Sequence, residues 1–235
     1  PELTGEASSQ RVQALRVILS SPPAYEPGTE AETSAASLCA AVVIAEHATG
    51  RRWKDLFHEY LLGPLSMRSA RFGWPATGAT ADQPLGHLRP SEALVPIGIG
   101  EAPPFDPLRR PAVGLSMTLA DLSRYVSHEL AAMAGESELI SKEKARFLHE
   151  SSDGARSIGW FHGQLQNGLA IQWNRSVVGG FVVTVILVPE LGLGSAVVAN
   201  AGDGMDAATS LAMEVLYRDA RMEPRSRGIG PGGGQ

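Results

Sequence analysis

Two hydrophobic periodicities follow one another along this chain, and their order constrains its fold most. Up to about residue 150 the apolar residues recur at helical spacing. Short segments rich in β-branched residues follow, separated by glycine-rich turns, and this pattern predicts an antiparallel meander. The predicted strands are 158–161, 169–173, 180–188 and 194–200. Helices followed by strands and one last helix indicate the α+β class.

Six helices are predicted around this meander. They are 8–20, 34–49, 53–62, 118–134, 141–149 and 205–221. The second, closed by Gly50, is apolar on nearly all sides and is predicted to be buried. The third places Trp53, Phe57 and Tyr60 on one core-facing side, and the last is expected to cover the sheet. Residues 73–115 are rich in glycine and proline, and we expect them to form a long excursion over the surface or a cleft.

The composition is that of a globular domain. Hydrophobic residues make up 43% of the 235 residues and charged residues 19%, which suffices for one unit with a sizeable core. The net charge is only −5 and the arginines are scattered, so no nucleic-acid groove is expected. No apolar stretch approaches the roughly 18 residues that a membrane span needs. The glycine- and proline-rich tail, 226–235, is predicted to be disordered. The chain begins with Pro1 and shows no leader, and no compartment is predicted.

No metal site or cofactor is predicted. The single cysteine, Cys39, excludes an internal disulfide, cannot form a zinc site alone, and lies in an apolar run that predicts a core position. The six histidines are widely dispersed, and no two have the spacing of metal ligands on a helix. They are His47, His58, His87, His128, His149 and His162.

Two helix starts carry capping signals. Thr118 and Asp121 have the form of a capping box, with aspartate in place of the usual glutamate. Ser141 opens the following helix, and together with Lys144 it spells Ser-x-x-Lys, a spacing at which an amine can lie beside a hydroxyl. Serine is a favoured N-cap residue, and we interpret Ser141 as a cap.

Several patterns occur in the order found in one enzyme family. They are Pro27–Thr29, Ala48–Gly50, Gly63–Met67, Gly114–Asp121, Val188–Glu190 and Val197–Asn200. This succession resembles that of the serine hydrolases that include class C β-lactamases, D-alanyl peptidases and related esterases. The resemblance covers about residues 25 to 215. It implies a β-lactamase-like fold, an antiparallel sheet flanked by helices with a helical subdomain, and it concerns architecture because none of these patterns carries chemistry.

The catalytic motifs of that family are absent or altered here. The resemblance requires a Ser-x-x-Lys helix, for which 1–26 offers no match, a Tyr-x-Asn triplet and a Lys/His-x-Gly strand. The triplet corresponds to Thr33-Ser34-Ala35, and the strand motif to Asn174-Arg175-Ser176. Threonine cannot act as a phenolate base and asparagine cannot carry a proton near neutral pH. No catalytic residue is therefore assigned, and the implied cleft positions are Thr33, Ser34, Ala35, Asn174, Arg175, Ser176 and Val177.

Three functions remain open. The first is a catalytically silent member of the family. The second is an active esterase, amidase or D-alanyl peptidase whose nucleophile lies on an N-terminal segment outside this sequence. The third is a binding or scaffolding module that uses the cleft for a peptide, a glycan or a small acyl ligand. Arg175 could hold a carboxylate there or simply face solvent.

The resemblance also implies how the chain is organised. Residues 1–225 are expected to form a truncated β-lactamase-like domain, with a helical part over about 8–150 and the sheet and last helix over about 155–222. The strands and the nucleophile helix that relatives carry at their N-terminal ends are expected to be missing. An exposed apolar groove and an unpaired strand edge should result. We therefore expect a homodimer, a complementing N-terminal chain or marginal stability.

Overall fold

The helices lie mainly in the first two thirds of the chain, and the sheet follows them. The computed structural model describes residues 6–26, 29, 34–78, 80–102, 104–151, 153–165 and 167–219. Its helices are α1 (Ala7–Leu19), α2 (Ala35–Thr49), α3 (Trp53–Phe57), α4 (Arg110–Val113), α5 (Leu119–Ala134), α6 (Lys142–His149) and α7 (Met205–Asp219). Helix α3 continues directly into a π-helix, His58–Leu62. This order is that of the predicted α+β class.

One five-stranded antiparallel sheet forms the framework. Its strands, in spatial as in chain order, are β5 (Arg156–Ser157), β6 (Trp160–Gln164), β7 (Ala170–Val178), β8 (Phe181–Val188) and β9 (Leu193–Ala199). The register pairs Asn174 with Val185 and Ile186 with Ser195. Two short antiparallel pairs lie earlier in the chain: β1 (Arg71–Phe72) with β4 (Leu115–Ser116), and β2 (His87–Leu88) with β3 (Val95–Pro96). The predicted meander is therefore present, and β9 pairs on one side only within the described residues.

Strand β8 is the centre of the core because a helix covers each face of the sheet. On one face Ile186 and Val188 pack against Ala212, Met213 and Leu216 of α7. On the other face Val185 and Leu187 pack with Val126 of α5 and with Trp160. A strand buried on both faces has no polar alternation, which explains the continuous apolar run of its sequence.

Helix α2 is less buried than its sequence predicted, and that prediction was wrong. Cys39 is fully buried, as expected, but Ile44 is 68% exposed and Leu38 41% exposed. The helix packs against α1, α3 and α4, so part of its circumference has no neighbour. Alanine, which makes up much of this helix, is tolerated on either kind of surface.

The helix predicted over 53–62 changes its winding halfway along. Trp53 and Phe57 pack edge-on against Phe72, with ring centroids 4.6 Å and 5.8 Å away. Tyr60, which was predicted to share this core-facing side, is 64% exposed. It lies in the π-helical segment, where each residue advances by a smaller angle than in an α-helix, and this removes Tyr60 from the aromatic side.

The two capping predictions have different outcomes. Ser141 accepts a hydrogen bond from the Lys144 N–H at 3.3 Å and is the N-cap of α6, as predicted. Thr118 likewise accepts from the Asp121 N–H. The carboxylate of Asp121 does not complete the capping box, because it binds the backbone and the hydroxyl of Ser69.

Some predictions fall on residues outside the described part of the chain. These are Pro27, Gly28, Thr33, the end of the last helix at 220–221 and the tail 226–235. Within the described residues, no helix combines the length and the apolar character that a membrane span requires. The same residues contain no cluster of three or more potential metal ligands.

Candidate functional site

A cleft with a volume of about 870 Å³ separates the sheet from the helical part of the chain. Its walls come from β7 and β8 on one side and from β1, β4 and the start of α5 on the other. Most lining side chains are apolar, including Phe57, Trp74, Tyr125, Trp160 and Phe181. The polar ones are Ser69, Arg71, Gln83, Ser116, Thr118, Asn174 and Ser176. The volume lies within the range of small-molecule sites.

The predicted site residues on β7 lie on both faces of the sheet, because side chains alternate along a strand. Asn174 and Ser176 line the cleft, together with Val178. Arg175 and Val177 are not among the lining residues, since successive side chains of a strand point to opposite faces. The guanidinium carbon of Arg175 lies 4.7 Å from the ring centre of Trp173. Arg175 is thus placed by a cation–π contact on the far face of the sheet.

The other predicted triplet is not brought into this cleft as far as it is described. Ser34 is the N-cap of α2 and accepts a hydrogen bond from the Ser37 N–H at 3.1 Å, and Ala35 is the first residue of that helix. Neither residue is among those that line the cleft. Thr33 lies outside the described residues, so a crevice shared by Thr33 and Asn174 stays a prediction.

A buried carboxylate fixes one wall. Asp121 accepts hydrogen bonds from the Ser69 N–H at 2.7 Å and from the Ser69 hydroxyl at 2.5 Å, and it forms an ion pair with Arg124. The bonds from Ser69, followed by the charge of Arg124, hold the pKa of Asp121 below its usual value. A carboxylate with a lowered pKa is a weak base, and the Ser69 hydroxyl is not activated for attack.

Behind the cleft lies a buried polar network that sequence reasoning missed. His149 Nε2 lies 2.8 Å from Glu129 Oε2, and His149 Nδ1 lies 2.6 Å from Gln172 Oε1. The His149 ring is stacked on Trp160, which lines the cleft. Tyr125 is joined to the network through Glu129. The i, i+4 spacing of Tyr125 and Glu129 was a signal in the sequence, but nothing in it connected them to His149.

Tyr125 is the one tyrosine among the described lining residues. Burial, with the neighbouring Glu129 carboxylate second, raises the pKa of its phenol far above the usual value. A phenol of this kind stays protonated across the physiological range. Tyr125 therefore cannot supply the phenolate that a proton relay would need.

Glycines attach the 73–115 excursion to the sheet at the mouth of the cleft. A Cβ atom on Gly86 would lie 1.9 Å from the carbonyl oxygen of Gly179. A Cβ on Gly179, whose φ of +55° favours glycine, would lie 2.2 Å from the Trp74 ring. His87 adds backbone hydrogen bonds to the carbonyls of Gly180 and Asn200. The excursion is therefore fixed by close backbone contacts.

The described lining carries no group suited to acid–base catalysis near neutral pH. It includes no lysine, histidine, aspartate or glutamate. Its serines are Ser69, Ser116 and Ser176. A serine hydroxyl is a weak nucleophile unless a neighbouring base takes its proton. What this lining offers is apolar surface, a few hydrogen-bonding groups and the charge of Arg71.

Comparison with known proteins gives a family match and several solved structures with a similar fold. The family model described as "Beta-lactamase" matches residues 1–219. Among solved structures, an octameric penicillin-binding protein homologue from Pyrococcus abyssi superposes with a TM-score of 0.71 at 17% identity, covering 92% of this chain and 48% of that one. The D-amino acid amidase from Ochrobactrum anthropi SV3 gives a TM-score of 0.69 at 14% identity, covering 94% and 67%. A class C beta-lactamase gives 0.68 at 18% identity, covering 96% and 66%.

The solved structures and the family model support different conclusions. At identities below 20%, the solved structures establish a common fold. The chain spans about half to two thirds of the length of these neighbours. Comparison with curated protein sequences gives no match. The family model, in contrast, covers residues 1–219 of the 235, and on that ground the chain belongs to the β-lactamase family.

Proposed function

We propose that this serine-hydrolase-like domain is catalytically silent, because its own residues do not include the groups that catalysis needs. We propose further that its cleft binds a small ligand without a covalent step. The observation that carries the proposal is the lack of lysine, histidine and carboxylate side chains in the described cleft lining. Acyl transfer by serine needs a base within hydrogen-bonding reach of the hydroxyl. The Asp121 carboxylate does reach the Ser69 hydroxyl, but its lowered pKa makes it a weak base. A cleft of this size then retains binding alone.

The residues at the motif positions support the same proposal. Asn174 lines the cleft and donates a hydrogen bond to the Gly159 carbonyl at 2.8 Å, so its amide helps to hold two strands together. Ser176, two residues on, adds a side chain where the family motif has glycine. At the second motif, Thr33 and Ala35 replace a phenol and an amide. None of these four side chains exchanges a proton near neutral pH.

Hydrolysis assays test this proposal. The chain is offered a chromogenic β-lactam, an aryl ester and a D-amino acid amide, beside variants Ser69→Ala, Ser116→Ala and Ser176→Ala. We expect product formation no faster than in buffer for every protein. A turnover that one of these serine substitutions abolishes would refute the silent state and identify the nucleophile.

A second candidate function is favoured by the length comparison. The chain spans between 48% and 67% of the neighbouring structures, so an active esterase, amidase or D-alanyl peptidase could carry its nucleophile on a segment outside this sequence. The cleft would then receive catalytic groups from that segment. The coding sequence upstream separates the two candidates, because a Ser-x-x-Lys helix there supports the active enzyme and its lack removes this alternative.

A further inference from the structure

The charge of the cleft differs in sign from that of the chain. The whole sequence has 25 acidic and 20 basic residues and a net charge of −5. The described lining of the cleft has one charged side chain, the arginine at position 71, and no acidic one. A positive charge beside low-dielectric walls favours the entry of anions over cations and neutral molecules.

Arg71 also has no counterion among the described residues. Arg124 on α5, by comparison, forms an ion pair with Asp121. Arg71 takes part in none of the ion pairs found among the described residues. Its backbone is fixed by pairing of β1 with β4, where it lies opposite Ser116 and accepts a hydrogen bond from that hydroxyl at 3.3 Å. Arg71 thus lies at the cleft on a fixed backbone, and it is exposed to solvent.

The rest of the cleft lining is chiefly aromatic and apolar. Trp74, three residues further on, is stacked on Phe105 with ring centroids 4.3 Å apart, and both line the cleft. Phe57, Leu61 and Met67 also line the cleft. Several of the polar lining groups are already engaged, since Ser69 binds Asp121 and Thr118. A ligand therefore meets one cation and otherwise chiefly apolar surface.

We propose that the cleft selects small monocarboxylates with an alkyl or aryl body, and that Arg71 binds the carboxylate. This inference rests on the proposed function, because it names the ligand class of the same non-covalent site. A guanidinium pairs with a carboxylate through two parallel hydrogen bonds, while the apolar body is removed from water against the aromatic lining. A second charge on the ligand would find no partner among the described lining residues.

Calorimetric titration of the 235-residue chain with decanoate and with decanamide, both below their aggregation limits, tests this proposal. The two probes share the alkyl body and differ in charge. We expect decanoate to bind about tenfold more tightly than decanamide. The variant Arg71→Gln should remove that preference and leave decanamide binding unchanged. Arg175→Gln removes the arginine on the far face of β7 and should keep the preference.

The outcomes separate the ligand class from the proposed function. Equal affinity for both probes, or a preference that survives in Arg71→Gln, overturns the carboxylate assignment while non-covalent binding stands. If neither probe binds, the binding part of the proposed function fails as well. The comparison of probes on the unchanged chain decides the charge preference even if the Arg71 variant does not fold.

Discussion

The imidazole of His149 lies 2.8 Å from the carboxylate of Glu129, and both side chains are buried. The second ring nitrogen faces Gln172 Oε1, and the Gln172 amide is oriented by its donation to the His149 carbonyl. Both ring nitrogens thus face acceptors, an arrangement that favours the doubly protonated imidazolium form of His149. This ion pair joins α5 and α6 to the sheet behind the cleft.

His149 makes the stability of the fold depend on pH. Burial alone would lower the pKa of His149, but its bonds to Glu129 and Gln172 outweigh burial and raise it. For a raised pKa, the stabilisation is complete below about pH 6.5, the value for an unfolded histidine, and is lost as the pH rises through the folded-state pKa. We expect the urea unfolding free energy to fall as the pH rises above about 6.5.

The variant His149→Gln isolates this contribution. It should lower the unfolding free energy at about pH 6 by roughly 3 kcal/mol, because Glu129 is left buried without its partner. It should also flatten the dependence on pH. The exposed residue His58 supplies the control, since His58→Gln should keep the dependence of the parent chain. An unchanged pH profile in His149→Gln would contradict the imidazolium assignment.

The contact between Gly86 and Gly179 leaves no room for a side chain. The added Cβ of Gly86→Ala would overlap a backbone oxygen, which cannot move aside as a flexible side chain can. We expect a loss of stability of at least about 2 kcal/mol, measured as a lowered midpoint of thermal or urea unfolding. The matched variant Gly78→Ala, where no atom lies within 4 Å of the new Cβ, should change stability by less than about 0.5 kcal/mol. Equal effects of both substitutions would contradict the close approach.

The side of β9 that has no partner strand among the described residues should promote association. This strand carries no charge and no proline, the residues that usually protect a sheet edge. We expect the apparent mass in light scattering to rise with protein concentration. Val198→Lys should suppress this rise. Leu211→Lys, on helix α7 and away from any strand edge, should not, although Leu211 and Val198 are similarly exposed. A constant monomer mass at every concentration would contradict the prediction.

The sheet was predictable where one periodicity dominated. The apolar run 180–188 is β8 within a residue at its start, because helices cover both of its faces. Strand β7 extends beyond its predicted end at Trp173 to Val178. Its second half is polar and alternates between the cleft and the far face, and pairing with β8 holds it extended. Hydrophobic patterning could not detect a strand of that kind.

The candidate site was predictable only in part. Alignment with the family brought out Asn174 and Ser176, which line the cleft. The sequence did not reveal that Arg71 lines the cleft, nor which residues contact His149. Both depend on packing between elements that are distant in sequence. Asp121 was recognised as part of a helix start, but its bonds to Ser69, across 52 residues, could not be inferred from local patterns.

Covalent trapping tests the central claim most directly. The chain is incubated with a fluorophosphonate and, separately, with a penicillin, and its intact mass is measured. Since no described lining group can activate a serine, we predict the unmodified mass with both probes, while an active serine hydrolase treated in parallel gains one probe per molecule. A stoichiometric adduct on any serine of this chain would contradict the account.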